Sequence, residues 1–268
     1  MDNRPIGVFD SGLGGLTVVK ELMKWLPQED IVYFGDTARI PYGTRSNETV
    51  IRYSQQCIRF LLSKDIKMIV IACNTVSSIS LNMVTEMFDI PILGVIEPGA
   101  REAVASTRNM RLGVIGTQGT IRSGAYEKAI SRLDPRIRVF TNPCSLFVPI
   151  VEEGWSNSKI ALLTAERYLD SMRCNDIDTL LLGCTHYPLL EDTIGKVMGP
   201  DVTLINPACG TALEVGRILK DRGLLSEDGT EAQYDFYVSD LGEKFEELGG
   251  RFLGREIKCA RKIEIEMF

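Results

Sequence analysis

The sequence predicts an α/β protein of two pseudo-symmetric lobes, each a mainly parallel sheet flanked by helices. Three observations carry this. Short apolar, β-branched runs alternate with amphipathic stretches along the whole chain, as strand–helix units of a parallel sheet require. The order then starts again: Gly7-Val8-Phe9-Asp10-Ser11-Gly12 echoes Gly113-Val114-Ile115-Gly116-Thr117-Gln118, and Ile69-Val70-Ile71-Ala72-Cys73-Asn74-Thr75 echoes Leu180-Leu181-Leu182-Gly183-Cys184-Thr185-His186, at offsets of 106 and 111 residues. A cysteine falls at the same point of the second pair, which favours an internal repeat over coincidence between generic strands.

Taken in order, Pro5–Phe9 reads as a strand stopped by Asp10-Ser11-Gly12. Leu16–Trp25 reads as a helix, its apolar residues recurring near i, i+3 and i+6 or i+7. Ile31–Phe34 is a strand ending at Gly35-Asp36, Thr49–Leu62 a helix, Met68–Ala72 a strand and Ser77–Phe88 a helix; Ile92–Val95 closes the first group. Leu112–Ile115, ending in Gly116-Thr117, opens the second. Gly124–Leu133 reads as a helix, Ile137–Phe140 as a strand, Ala161–Met172 as a helix and Thr179–Leu182 as a strand. Leu189–Met198 is a helix, Val202–Ile205 a strand and Ala212–Arg222 a helix, and Tyr234–Val238 and Lys262–Met267 look like closing strands. The expected division is 1–96 with 208–268 as the first lobe, carrying Cys73, and 97–207 as the second, carrying Cys184.

Composition narrows the function classes. The 268 residues are 44% hydrophobic and 25% charged, ordinary for a globular chain. A net charge of -6 gives no basic footprint, which argues against nucleic acid as the main partner but leaves room for a small anionic substrate. Met1-Asp2-Asn3-Arg4-Pro5 is followed by no apolar run of signal-peptide type, and no stretch approaches the roughly 18 apolar residues of a membrane span. The expectation is a cytoplasmic protein without membrane association. Seven cysteines, with no Cys-x-x-Cys pair and a single histidine, point away from a disulfide framework and from a zinc site.

Cys73 and Cys184 each follow a buried-type strand and precede a helix. Ligands of open parallel sheets bind there, and the helix N-terminus favours a thiolate. A lone cysteine is ordinarily a small buried hydrophobe; two at equivalent ends of repeated lobes are not so easily dismissed. Asn74-Thr75 follows the first and Thr185-His186 the second, and hydroxyls, an amide and backbone N–H groups suit a carboxylate. His186, the only histidine, stands two residues from a thiol and can serve it as base or as stabilising imidazolium. Asp10-Ser11-Gly12-Leu13-Gly14-Gly15 lacks both the Walker ending and the dinucleotide spacing, and Asp10 would repel phosphate. It reads as an active-site turn beside a thiol. Locally, Pro41-Tyr42-Gly43 is a generic turn, and Glu152-Glu153-Gly154-Trp155 a solvated loop whose Glu152 can face the cleft. Cys209 is a rival thiol without a repeat partner, and Cys57 falls on the apolar stripe of a helix.

Racemisation removes hydrogen from one face of Cα and returns it to the other, which one base cannot easily do. Two acid–base groups on opposing lobes solve the geometry, with the active site between the lobes. In combination, Val8-Phe9-Asp10-Ser11-Gly12-Leu13-Gly14-Gly15, Pro41-Tyr42-Gly43, Ala72-Cys73-Asn74-Thr75 and Gly183-Cys184-Thr185-His186-Tyr187-Pro188 resemble the glutamate racemases of the aspartate/glutamate racemase family, over essentially the whole chain. The resemblance implies glutamate between the lobes, no cofactor such as pyridoxal phosphate, and D-glutamate supplied for peptidoglycan. It implies that Cys73 takes the proton from D-glutamate and Cys184 from L-glutamate. It carries substrate binding or catalytic support onto Asp10, Ser11, Pro41, Tyr42, Gly43, Asn74, Thr75, Thr185 and His186, and onto Thr117 and Glu152. Asp10 is expected near Cys73 and His186 near Cys184; the resemblance implies self-association in more than one arrangement, a homodimer among them. Three other readings are an aspartate racemase or related epimerase, a non-catalytic two-lobed amino-acid binding protein, and a nucleotide-dependent enzyme using the glycine turn. Isotope exchange at Cα separates the racemases from the other two.

Overall fold

Strands covered by helices on both faces must be apolar throughout, and this accounts for the unbroken Val/Ile/Leu runs that alternation alone would not give. The computed structural model describes residues 2–226, 231–240 and 242–268. Positions 1, 227–230 and 241, which the first lobe as drawn above includes, lie outside the described residues.

In chain order the elements are β1 (Ile6–Asp10), α1 (Leu16–Trp25), β2 (Ile31–Gly35), α2 (Asn47–Leu62), β3 (Met68–Ile71), α3 (Asn74–Met87), β4 (Ile92–Gly94) and α4 (Ile96–Ser106). There follow β5 (Arg111–Gly116), α5 (Gln118–Ser123), α6 (Ala125–Leu133), β6 (Arg138–Pro143), α7 (Phe147–Glu152), α8 (Lys159–Cys174), β7 (Thr179–Gly183), α9 (Glu191–Met198) and β8 (Thr203–Ile205). The chain closes with α10 (Pro207–Asp221), β9 (Tyr234–Val238), α11 (Gly242–Leu253) and β10 (Ala260–Lys262).

The strands form two sheets, ordered β10-β9-β2-β1-β3-β4 and β6-β5-β7-β8, and every pairing is parallel. The repeat is visible in this topology. β2-β1-β3-β4 and β6-β5-β7-β8 have the same order, so β1 corresponds to β5 and β3 to β7. Val8 stands opposite Tyr33 and Val70 in the first sheet, and Val114 opposite Thr141 and Leu181 in the second. β1, β2, β3 and β7 are buried along their whole length. Each buried Val, Leu or Ile there contributes about 1.5–3 kcal/mol relative to an exposed one, so the strand ends that carry the site are held by rigid cores.

At the opposite, N-terminal ends of β2 and β3 sits a buried ion pair. Lys67 Nζ lies 2.5 Å from Glu29 Oε2 and donates to the carbonyls of Asp2 (2.6 Å) and Leu224 (2.8 Å). Glu29 Oε1 accepts from the Ser226 N–H at 2.9 Å. The segment following α10 is thereby tied back to the first sheet.

The structure departs from the expected elements in several places. α4, α5, α7 and α11 are helices where none was expected, and α2, α3 and α10 start earlier than read. Gly124 (φ 64°) is the left-handed cap between α5 and α6, so the helix expected from Gly124 begins at Ala125. The expected helix from Leu189 opens as a 3₁₀ turn, Tyr187–Leu190. The expected strand Lys262–Met267 is a correction: β10 ends at Lys262, and Ile265–Met267 is a 3₁₀ turn that plugs the core with fully buried Ile265. Among the described residues no helix is long and apolar enough to cross a membrane.

Candidate active site

The carboxyl ends of β1, β3, β5 and β7 converge on one cavity of about 400 Å³. Cys73, Asn74 and Thr75 line it from the end of β3, Cys184, Thr185 and His186 from the end of β7. Ser11 contributes from the turn after β1 and Thr117 from the equivalent turn after β5. Pro41, Tyr42, Gly43 and Glu152 complete the set expected from the sequence; Asp10 alone is missing from the wall.

Cys73 is the N-cap of α3 and makes no side-chain capping hydrogen bond, but its sulfur lies at the helix N-terminus, where the Val76 N–H favours its charged form. Ser11 Oγ lies 3.5 Å from the same sulfur. Burial nevertheless pushes the Cys73 thiol up to about 12, helped by the negative charge of Asp10 and only partly offset by Ser11 and Val76. Cys73 therefore holds its proton at neutral pH.

The other side is built differently. His186 Nδ1 lies 3.9 Å from Cys184 Sγ, and Nε2 lies 3.0 Å from Glu152 Oε1 at the end of α7. The imidazole meets the Phe252 ring of α11 edge-on, with centroids 5.2 Å apart and planes at 82°. Burial pulls the His186 pKa down, but Cys184 and Glu152 together outweigh it and hold it well above the usual histidine range. One cysteine thus faces a protein that keeps it a thiol, and the other an imidazolium.

Asp10 is fully buried behind the glycine turn. Its carboxylate accepts from the Gly12 N–H (3.0 Å) and, across the cleft, from the Thr185 hydroxyl (3.4 Å). Burial raises its pKa, while the His186 charge and the hydrogen bonds to Gly12, Gly15 and Thr185 pull the other way. Asp10 stands behind the cavity wall, where it holds the turn and Thr185 together and its charge acts on Cys73, the thiol it was expected to lie near. Glu152-Glu153 is likewise not a free loop, because Glu152 ends α7 and engages His186.

The two sheets' turns touch on both flanks of the cavity. Thr75 and Thr117 Oγ1 atoms are 2.8 Å apart, and Thr117 caps α5 by accepting from the Thr120 N–H. On the other flank Thr17 Oγ1 donates to the Gly14 carbonyl (2.8 Å) and approaches the Thr185 carbonyl (3.3 Å). Gly14 lies so close to the second lobe that a Cβ there would stand 2.1 Å from Thr185 Oγ1 and 2.6 Å from His186 Nδ1. Tyr42, in the 3₁₀ turn Tyr42–Thr44, donates to Asp36, which also accepts from Arg39 Nε (2.6 Å) and Ser239 Oγ (2.8 Å). The loop carrying Tyr42 and Gly43 is therefore fixed from below.

Gly12, Ile40, Thr44, Gln118, Ser145, Val148 and Pro149 also line the cavity and were not expected. The repeat could have found Gln118, the counterpart of Gly12; Ser145, Val148 and Pro149 belong to α7 and the residues before it, which carry no local helix signal. Among the described residues no lysine or arginine lines the cavity. Carboxylates there must be met by hydroxyls, amides, helix-terminal N–H groups and His186. Cys209 lies elsewhere, with Glu21 and Glu102 as its electrostatic neighbours. Among the described residues no group of three or more His, Cys, Asp and Glu side chains is placed to hold a metal ion.

Residues 6–212 match the family model Asp/Glu/Hydantoin racemase. The chain is 51% identical to the glutamate racemase of Geobacter metallireducens over 98% of its own length and 97% of the relative's. It is 48% identical to a glutamate racemase of Neisseria meningitidis, with the same coverage. Among solved structures, glutamate racemase isoform RacE1 from Bacillus anthracis superposes with a TM-score of 0.94 at 40% identity, covering 98% of both chains. Glutamate racemase from Francisella tularensis in complex with D-glutamate gives 0.93 at 42% identity, covering 100% of both.

Proposed function

The chain belongs to the Asp/Glu/Hydantoin racemase family, and from that premise we propose that it interconverts L- and D-glutamate by passing the Cα proton between Cys73 and Cys184. One observation carries the assignment of roles: the two thiols stand at equivalent strand ends of the two repeated sheets and line one cavity. The near-identical fold of a relative crystallised with D-glutamate supports the substrate.

In this reading, with the roles that the family resemblance implies, the protons balance. With L-glutamate bound, Cys184 as thiolate takes the Cα proton and becomes a thiol. Cys73, held protonated by burial and Asp10, delivers its proton to the opposite face and becomes a thiolate. D-glutamate leaves, and the enzyme returns to its starting form by exchange with solvent or by the reverse reaction. The His186 imidazolium stabilises negative charge on the Cys184 sulfur before transfer. Glu152 keeps the ring oriented and charged. General acid–base assistance of this kind contributes about 10²–10⁴-fold. The remainder comes from neutral donors preorganised around a carbanion-like state.

The reading includes a cytoplasmic enzyme whose D-glutamate serves peptidoglycan synthesis, a division at 1–96 with 208–268 against 97–207, and a homodimer. The test is an assay on L- and D-glutamate beside L- and D-aspartate, after dialysis against a chelator and without added cofactor. Glutamate should convert in both directions, with aspartate at least about tenfold slower, as a pocket fitted to five carbons requires. Equal turnover of aspartate contradicts the substrate; activity that returns only with a metal or pyridoxal phosphate contradicts the chemistry. Sedimentation tests the homodimer, which a monomer at working concentration would contradict.

A further inference from the structure

We infer that Tyr126 is a positioning residue, which turns the Asn74 amide toward the substrate and ties the two cysteine motifs together across the cleft. The inference rests on the two-thiol reading above. Tyr126 belongs to α6 and is almost completely buried. Its ring lies on Gly183, the residue before Cys184: a Cβ on that glycine would stand 3.0 Å from Tyr126 Cε2. Its hydroxyl crosses to α3 and donates to Asn74 Oδ1, the residue after Cys73, at 2.6 Å. One side chain therefore touches the immediate neighbours of both sulfurs.

The direction of that hydrogen bond decides what Asn74 offers. A buried phenol needs an acceptor for its proton, and Oδ1 is the only acceptor on the Asn74 amide. With Oδ1 engaged, the two Nδ2 protons are left for the cavity that Asn74 lines. Burial, reinforced by the nearby Cys184, keeps the phenol protonated, so it remains a donor. An amide free to turn would present its oxygen half the time, and that oxygen repels a carboxylate. The cavity has no lysine or arginine among its described lining residues, so one misdirected donor is a large share of the grip. A hydrogen bond to a charged group contributes about 1.5–3 kcal/mol, so losing its orientation weakens binding by about tenfold or more.

The experiment is a double-mutant cycle of Tyr126→Phe and Asn74→Ala, read as kcat and KM in both directions. Phe keeps the ring on Gly183 and removes only the hydroxyl. Tyr126→Phe should raise KM about tenfold with kcat within about threefold. In the Asn74→Ala background the same change should alter kcat/KM by less than about twofold, because the amide it directs is gone. Independent, multiplying losses in the double variant overturn the inference, as does a Tyr126→Phe enzyme with unchanged KM. A second measurement uses the wild-type protein. With asparagine labelled by ¹⁵N, the side-chain NH₂ signal of Asn74, identified by its loss in Asn74→Ala, should shift when D-glutamate is added; a signal that does not move overturns the proposed orientation. Cys73→Ser and Cys184→Ser serve as controls. If either racemises at the wild-type rate, the two-thiol reading falls and takes this inference with it. If both are inactive and the cycle is additive, only the role of Tyr126 falls.

Discussion

Replacing Gly14 by alanine should disable one half of the reaction and spare the other. Gly14 is not among the glycines with positive φ, so alanine meets no backbone penalty there; the obstacle is contact alone. The added Cβ would stand 2.6 Å from His186 Nδ1 and 2.1 Å from Thr185 Oγ1. Ordinary van der Waals contact begins near 3.4 Å, so the imidazole must retreat by the difference, about 0.8 Å, and the threonine by more. The His186–Cys184 contact is already 3.9 Å, at the outer limit of a hydrogen bond to sulfur, and that retreat breaks it. A misplacement of about 1 Å in a reacting group costs on the order of 10²-fold in rate, and overpacking costs about 1–3 kcal/mol of stability. Steady-state kcat/KM must fall by the same factor in both directions, because the equilibrium is unchanged. The informative assay is therefore elimination from the L and D forms of a glutamate analogue with a leaving group on Cβ, where only one proton is removed. Gly14→Ala should lose about 10²-fold in elimination from the L form, which uses Cys184, and less than about threefold from the D form, which uses Cys73. Equal losses from both enantiomers, or none, would refute the placement of His186 by this glycine.

The same assay gives a pH signature. In Cys184→Ser, elimination from the D form depends on the thiolate of Cys73, whose pKa of about 12 lies above the working range. Its rate should rise about tenfold per unit from pH 7 to 9. A rate that stays flat over this range would contradict a Cys73 that burial and Asp10 hold as a thiol. Away from the site, Lys67→Met strands the Glu29 carboxylate in the core and leaves the Asp2 and Leu224 carbonyls without their donor. Breaking a buried pair costs about 3–5 kcal/mol, read as a lower urea midpoint, while the activity of the folded enzyme stays within about twofold of wild type. A loss below about 1 kcal/mol would show that the pair is not structural.

Much of this architecture was legible because burial on both faces writes continuous apolar runs. β3 and β7 stand out for that reason, and the cysteines at their ends mark the site. The helices that escaped notice begin with signals that read as loops. α4 carries Pro98 and Gly99 in its first turn, and α7 carries Pro149 at its third position, where proline is tolerated. α3 was expected to start at Ser77; the helix instead takes Cys73 as its N-cap residue, which sets the thiol at the helix N-terminus. The C-terminal alternation of Ile263, Ile265 and Met267 has the period of a strand, yet the chain turns to bury Ile265. Tyr126 had no local signal at all. It is one aromatic on an amphipathic helix, and its partner Asn74 is 52 residues away. Nor does a carboxylate at a strand end reveal its partners: only the fold brings Thr185, 175 residues away, to Asp10 beside the Gly12 N–H.

The central claim is that two thiols act on opposite faces of one carbon. Elimination from the β-substituted analogue tests it most directly in the two serine variants, since serine is too weak an acid and base to replace the missing thiol. Neither variant should racemise glutamate, and both should stay folded because the change in volume is small. Cys73→Ser should eliminate only from the L form and Cys184→Ser only from the D form. If both variants process the same enantiomer, or if either still racemises at the wild-type rate, the two cysteines do not face each other across the substrate.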